Sequence, residues 1–330
     1  MNPKRDRKQN VLIGPYGVSS LAHAAQFQAA GVNAAWFHGF DAGAFAACDA
    51  YDLAACVEFP TFRADFARHP ELVPIGVDGQ PIRYGELVQG VCLSNQDFLA
   101  EIEMNLVQGI ERFQPQGIWF DYLTYAGWFE SAQPDLQDSC FCRSCVADFC
   151  QATGIAEDQP AQIVSRYAGA WQQHKRDKIA GFAMHYAHLV REKHPECLIG
   201  MYMCPWQPDE FDGALGRIFA QDYDLLAPAV DVFTPLIYVQ KSGRPNQWGR
   251  EFLEAATRFV PVGRHVQLIL DYLDFPYSLD HAARSETPSW GVQMYGGGSI
   301  FEHREQIAVF RQAADTIRQA WQDNGEQGVN

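Results

Sequence analysis

Val32-Asn33-Ala34-Ala35-Trp36-Phe37-His38 and Leu53-Ala54-Ala55-Cys56-Val57-Glu58-Phe59 are two short apolar runs of strand length, and how they connect decides the fold. Asp41 can cap a helix running through Tyr51 between them. A strand, a helix and a second strand in this order imply parallel pairing through a crossover.

The same unit extends in both directions. Upstream, Asn10 to Tyr16 reads as a first strand, Ser19-Ser20 as the cap of a helix over Leu21 to Ala30, and Gly31 as its stop. Downstream, an insertion over Pro60 to Ser94 carries an Asp78-Gly79 hairpin turn and leads into a helix from Asn95 to Phe113. Gly117 to Tyr122 is the fourth strand, and a second long excursion follows it. Helical pattern resumes from about Pro160 to His194. Cys197 to Met203, Val230 to Tyr238, His265 to Asp271 and Gly291 to Tyr295 complete eight strands, the count of a single (β/α)8 TIM barrel with long loops after strands three and four. The barrel is expected over 10–321, with a last helix from Glu302 to about Trp321 and disordered tails at 1–9 and 322–330.

Composition narrows the partners. The 330 residues hold 25 Lys and Arg against 40 Asp and Glu, a net charge of −15 that disfavours nucleic acid and anionic membranes. The basic start Lys4, Arg5, Arg7, Lys8 is not followed by the apolar run of a secretory signal, and no stretch is apolar enough to span a bilayer, so a cytoplasmic location is expected. Gly14-Pro15-Tyr16-Gly17 after the first strand lacks the dinucleotide-binding spacing.

Function in such barrels gathers at the C-terminal strand ends, where this chain delivers Tyr16, His38, Glu58, Asp121, Tyr202, Tyr238, Asp271 and Tyr295. Three apolar strands ending in a carboxylate are unusual, because burying an unpaired charge is costly. If Asp121 points into the mouth, Trp119 and Gly117 share its side while Ile118 and Phe120 face the helices. Two carboxylates in an aromatic mouth are the equipment of glycoside hydrolysis. Asp121 and Asp271, on nearly opposite strands, form the primary catalytic pair, with Glu58 in reserve. Tyr16, Trp36, His38, Tyr122, Tyr125, Tyr202, Trp206, Tyr238, Tyr295 and Glu302 are the expected carbohydrate-binding groups, with Trp128 among the mouth aromatics.

Nine cysteines are an odd number, and Cys140-Phe141-Cys142-Arg143-Ser144-Cys145 crowds three of them into six residues. Tetrahedral structural zinc wants four ligands. Cys150 falls elsewhere around a helix, so Cys92, in the other long insertion, is the better fourth ligand.

These residues resemble barrel glycosidases of glycoside hydrolase family 42 and the related family-10-like putative glycosyl hydrolases. The matching pieces are Val91-Cys92-Leu93-Ser94-Asn95, Gly117-Ile118-Trp119-Phe120-Asp121-Tyr122, and the cysteine cluster followed by Phe149, in the family's order over roughly 85–150. The resemblance implies a zinc on Cys92, Cys140, Cys142 and Cys145. It also implies an acid/base at the end of strand four and a nucleophile at the end of strand seven, where the family has glutamates and this chain has Asp121 and Asp271. Ile118-Trp119-Phe120-Asp121 also looks like α-L-fucosidases, whose aspartate there is the nucleophile, so the roles can be reversed. The acid/base is then Asp271, Glu58 or a loop carboxylate.

Two readings of other classes stand beside this one. A barrel can bind glycans or a protein partner without catalysis. Lys241, after strand six, could form a Schiff base in an aldolase, and Tyr295-Gly296-Gly297-Gly298-Ser299 is a place where barrels hold phosphate.

Overall fold

The computed structural model describes residues 11–17, 24–82 and 90–327. Eight parallel strand positions close on themselves: β1 (Leu12–Tyr16), β2 (Ala34–His38), β3 (Ala54–Pro60), β4 (Gly117–Asp121), β5 (Leu198–Met203), β6 (Val232–Ile237), β7 in two pieces (His265–Val266 and Leu268–Asp271) and β8 (Gly291–Tyr295). Pairing of β5 with β6, and of β1 with β8 through Leu12↔Gly291 to Tyr16↔Tyr295, completes the ring. The chain is therefore the single (β/α)8 barrel expected.

Strand parity sorts the side chains. Gly117, Trp119 and Asp121 share one side of β4, and Trp119 stands inside the barrel, edge-on to Trp36 at 5.4 Å and donating from Nε1 to Thr234 Oγ1 at 2.8 Å. Phe120 points outward onto Tyr186, 5.9 Å away on the crossover helix. Gly200 on β5 faces Trp119 so closely that a Cβ there would lie 2.2 Å from the indole, so this strand needs a residue without a side chain. Above the two indoles, Tyr202 meets the Gln293 amide at 2.8 Å, and Gln293 meets Gln267 at the same distance. A layer of tyrosines closes the top, with Tyr16 5.0 Å from Tyr202 and 5.5 Å from Tyr295.

Asp41 and Asn95 cap their helices, accepting from Ala44 N at 2.7 Å and Phe98 N at 3.0 Å. The expected helix over 160–194 is two, Pro160–Arg166 and Ala168–Lys193, divided at Tyr167. The last helix begins at Arg304 and continues to Gln327, past the expected end at Trp321. The Ser19-Ser20 cap and the 1–9 tail lie outside the described residues.

The two long loops bind each other. Gly79 turns the 61–95 insertion at φ +77°, Gly76 N donates to Gln80 O at 2.8 Å, and Phe141 N reaches across to Ile75 O at 2.8 Å. Beneath them Phe141 stacks on Trp171 at 4.6 Å, in a small core of its own with Phe149 and Ile163. Among the described residues, no helix is long and apolar enough to cross a membrane.

Candidate active site and cysteine cluster

A cavity of about 240 Å³ opens at the C-terminal mouth, walled by Tyr16, Tyr202, Tyr238 and Tyr295 and holding Glu58, Asp121 and Glu130. Parallel pairing sets β3 beside β4, with Glu58 opposite Trp119 and Pro60 opposite Asp121, so the two carboxylates emerge side by side. Both are buried, Glu58 at 1% and Asp121 at 9% exposure. The Asp121 carboxyl is raised well above the ordinary carboxylate range, first by burial and then by the charge of Glu58 and a hydrogen bond shared with it. The charge of Glu58 thus opposes ionisation of Asp121 beside it.

The surroundings fix this pair. The Asp121 carbonyl accepts from Thr61 N at 2.9 Å and Thr61 Oγ1 at 2.6 Å, while Tyr122 N donates to Asp121 Oδ1 at 2.9 Å. Tyr122 carries φ +55°, a left-handed turn that a bulky residue seldom adopts. Its ring lies under the Arg63 guanidinium at 5.4 Å. His38 Nδ1 contacts Glu58 Oε2, and the hydrogen bond to Glu58 raises the imidazole against the opposing effect of burial. Burial foremost pushes the Tyr16, Tyr202 and Tyr238 phenols well up, leaving them neutral hydroxyls able to donate.

The β6–β7 side is different. Asp271 is buried but does not line the cavity. Its Oδ2 lies 2.8 Å from Lys241 Nζ, and its Oδ1 accepts from Leu273 N at 2.9 Å. Lys241 sits over the Tyr238 and Tyr295 rings at 4.6 and 4.7 Å, with Glu130 3.8 Å away. Burial lowers the Lys241 ammonium, but the hydrogen bond to Asp271 and the charge of Glu130 outweigh it, so the lysine is held protonated.

Of the sequence-based set, Tyr16, His38, Glu58, Asp121, Tyr122, Tyr202, Tyr238 and Tyr295 come together around the cavity, along with Trp128. Five do not line it. Asp271 is turned to Lys241. Trp36 shares the inward parity of His38 but lies one layer deeper against Trp119. Tyr125 is buried under Lys175, whose Nζ is 5.3 Å from its ring. Trp206 packs behind the wall on Phe211 and Phe219, at 4.4 and 5.5 Å. Glu302, itself exposed, ends the 3-10 turn Gly297–Glu302. Sequence reasoning missed Glu130, Arg63 and Gln221. The aromatic-rich run Tyr122 to Phe129, ending directly before Glu130, was the available signal for the first.

Cys92, Cys140, Cys142 and Cys145 form the second site, their four sulfurs all within 4.8 Å of one another, and this cluster can hold a metal ion. Cys92 Sγ is 3.6 Å from Cys142 Sγ and 3.7 Å from Cys145 Sγ. Backbone amides point at two of the sulfurs: Ile75 N at Cys140 Sγ, 3.3 Å, and Cys145 N at Cys142 Sγ, 3.5 Å. Such N–H···S bonds orient thiolates and favour the charged form. Hydrogen bonds from Cys140, Cys145 and Cys92 push the Cys142 thiol down, and the hydrogen bond to Cys140 foremost lowers Cys92 to about 7. Cys150 is not of the set and donates to Glu157 O at 3.3 Å.

No protein-family model and no curated protein sequence matches this chain. Solved structures do resemble it. The PgaB (BpsB) glycoside hydrolase domain from Bordetella bronchiseptica superposes with a TM-score of 0.67 at 14% identity, covering 88% of this chain and 91% of that one. A β-galactosidase from the haloarchaeon Halorubrum lacusprofundi gives 0.62 at 12%, covering 93% of this chain and 57% of that one. A catalytic mutant of Gan42B, a GH42 β-galactosidase from G. stearothermophilus, gives 0.60 at 12%, covering 96% and 57%. The chain thus spans little more than half the length of these two β-galactosidases. What is shared is the fold: the chain is a (β/α)8 barrel resembling glycoside hydrolase domains, including those of family 42.

Proposed function

We propose that the protein is a glycoside hydrolase acting on a carbohydrate bound in the mouth cavity, with Asp121 and Glu58 as the carboxylate pair at the attacking side. The observation that carries this reading is the pairing itself. Two buried carboxyls meet at the ends of adjacent strands, under a cavity walled by four tyrosines. Aromatic faces suit the C–H faces of a sugar ring, and neutral phenols and the Arg63 guanidinium can donate to its hydroxyls. The cavity of about 240 Å³ lies below the range typical of drug-sized pockets, which favours a single ring in place. His38 and the Tyr122 amide stabilise negative charge on the pair, so that it can attack an anomeric carbon or take a proton from water. Likeness to glycoside hydrolase domains supports the reaction class.

The Schiff-base alternative fits poorly, because an imine-forming lysine must be neutral and Lys241 is held charged against Asp271. For the cysteine cluster we propose structural zinc. Tetrahedral Zn–S bonds of about 2.3 Å place sulfurs roughly 3.8 Å apart, close to the separations of 3.6 and 3.7 Å seen from Cys92. Four thiolates leave no position for substrate, so the metal would tie the two long loops together and take no part in the reaction.

The test is hydrolysis of a panel of 4-nitrophenyl glycosides carrying common hexoses, 6-deoxyhexoses and N-acetylhexosamines in both anomers, with proton NMR of the first-formed sugar. Release of one sugar type, in one anomeric form, is expected. A protein that binds sugars in the mouth but releases nitrophenol from none of the panel would instead be a carbohydrate-binding barrel.

A further inference from the structure

Glycosidases place two carboxyl groups on opposite sides of the scissile bond, about 5–5.5 Å apart when retaining and 6.5–9.5 Å apart when inverting. Asp121 and Glu58 emerge side by side from the adjacent strands β4 and β3 and cannot fill both positions. Asp271 is committed to Lys241 and turned out of the cavity. Among the described residues, the remaining carboxylate lining the cavity is Glu130, from the loop after β4.

We propose that Glu130 is the general acid of this site, protonating the glycosidic oxygen, while Lys241 and Asp271 act as positioning residues that hold it. The assignment rests on the glycosidase reading above and gives that reading its second carboxyl group. Glu130 stands on the β6–β7 side of the mouth, within 3.8 Å of Lys241, whereas Glu58 and Asp121 rise from β3 and β4. Tyr238 lines the same cavity as Glu130 and Asp121.

A general acid must keep its proton near neutral pH. The charged groups facing Glu130 are Lys241 and Asp271, with the neutral Tyr238 hydroxyl nearby. Burial raises the Glu130 carboxyl first, Lys241 lowers it, and Asp271 raises it again. The net direction is upward because burial outweighs Lys241, which lies nearer Asp271, at 2.8 Å against 3.8 Å to Glu130. In the step itself the Glu130 proton passes to the glycosidic oxygen as the bond from that oxygen to the anomeric carbon breaks, and the alcohol leaves with the bonding pair. Water supplies the hydroxyl that ends on the anomeric carbon. Its other proton, taken by the Asp121–Glu58 pair, returns to Glu130 through solvent.

The experiment compares the parent with Glu130→Gln on two aryl glycosides of the same sugar, one with a phenyl and one with a 2,4-dinitrophenyl leaving group. The first needs protonation to depart and the second does not. Glu130→Gln is expected to lose roughly 10²–10⁴-fold in kcat/KM on the phenyl glycoside and less than about tenfold on the dinitrophenyl one, and Asp121→Asn to lose heavily on both. Asp271→Asn frees Lys241 for Glu130 and should shift the alkaline limb of the pH profile to lower pH. A Glu130→Gln variant that loses nothing, or loses equally on both substrates, overturns the role of Glu130 while the glycosidase reading stands. A parent inert on both substrates overturns the glycosidase reading and the acid together.

Discussion

Gly200→Ala is the sharpest perturbation of the barrel that carries this site. The new Cβ would lie 2.2 Å from the Nε1 and Cε2 atoms of Trp119 and 2.4 Å from Cδ1, a contact no rotation of a methyl relieves. The indole is fully buried, packed on Trp36 and bonded to Thr234 at 2.8 Å, so it can yield only by displacing both. Overpacking a tight core costs about 1–3 kcal/mol, and a buried indole N–H left unpaired costs roughly another 1–3. The two overlap, because one movement causes both. We therefore expect a loss of about 2–5 kcal/mol, which at roughly 2.1 cal/mol/K of unfolding entropy per residue over a chain of this length lowers Tm by about 3–7 °C. Urea unfolding with an unchanged slope and an earlier midpoint would report the same loss. Trp119 lies two residues before Asp121 on the same face of β4, so the displacement should also lower kcat/KM. A Gly200→Ala protein within 0.5 kcal/mol of the parent would refute the layered packing that seats Asp121 in the mouth.

Three further outcomes follow from the sites. Elemental analysis should find about one zinc per chain, and Cys142→Ser should lower thermal stability more than it alters turnover, whereas full stability of the metal-free protein would contradict a structural role. Asp121 is raised in the folded state, so its stabilising effect is complete below its unfolded value and is lost as pH rises through the folded one. Asp121→Asn should then gain stability over the parent at neutral pH, by a margin that shrinks toward pH 4, and urea titrations at both pH values would expose the opposite trend. Phe141→Ala removes a ring stacked at 4.6 Å on Trp171 beneath the two long loops and should cost roughly 3–5 kcal/mol, read as an earlier unfolding midpoint, with a neutral effect arguing against that small core.

Strand identity was legible because parallel strands write themselves as apolar runs, and Gly291 to Tyr295 begins and ends where the sequence places it. Parity was legible too, which is how Trp119 and Asp121 were assigned to one side. Depth was not: Trp36 and His38 share a parity, yet one packs in the floor and the other stands at the rim, and a period of two carries no information on height along the axis. Loop residues were the least legible. Tyr125 and Trp206 follow strands four and five closely but fold under the wall, while Glu130, nine residues past Asp121, returns to the cavity. No periodicity governs such segments, only the packing they find. The broken strand at Gln267 was missed for a related reason. Its amide turns inward to bond Gln293 and the Leu12 carbonyl at 2.8 Å each, interactions that join residues far apart in sequence. The cysteine cluster was legible because three of its members crowd into Cys140–Cys145, a spacing suited to a shared metal, and Cys92 sits in the other long loop.

The central claim is that the Asp121–Glu58 pair hydrolyses a glycosidic bond, and Asp121→Asn tests it most directly, since it keeps the shape and the bond from the Tyr122 amide while removing the charge. Measured on the 2,4-dinitrophenyl glycoside that the parent turns over best, with the fold confirmed by circular dichroism, the account predicts a fall in kcat of at least about 10²-fold. A folded Asp121→Asn protein that hydrolyses this glycoside as fast as the parent would contradict it.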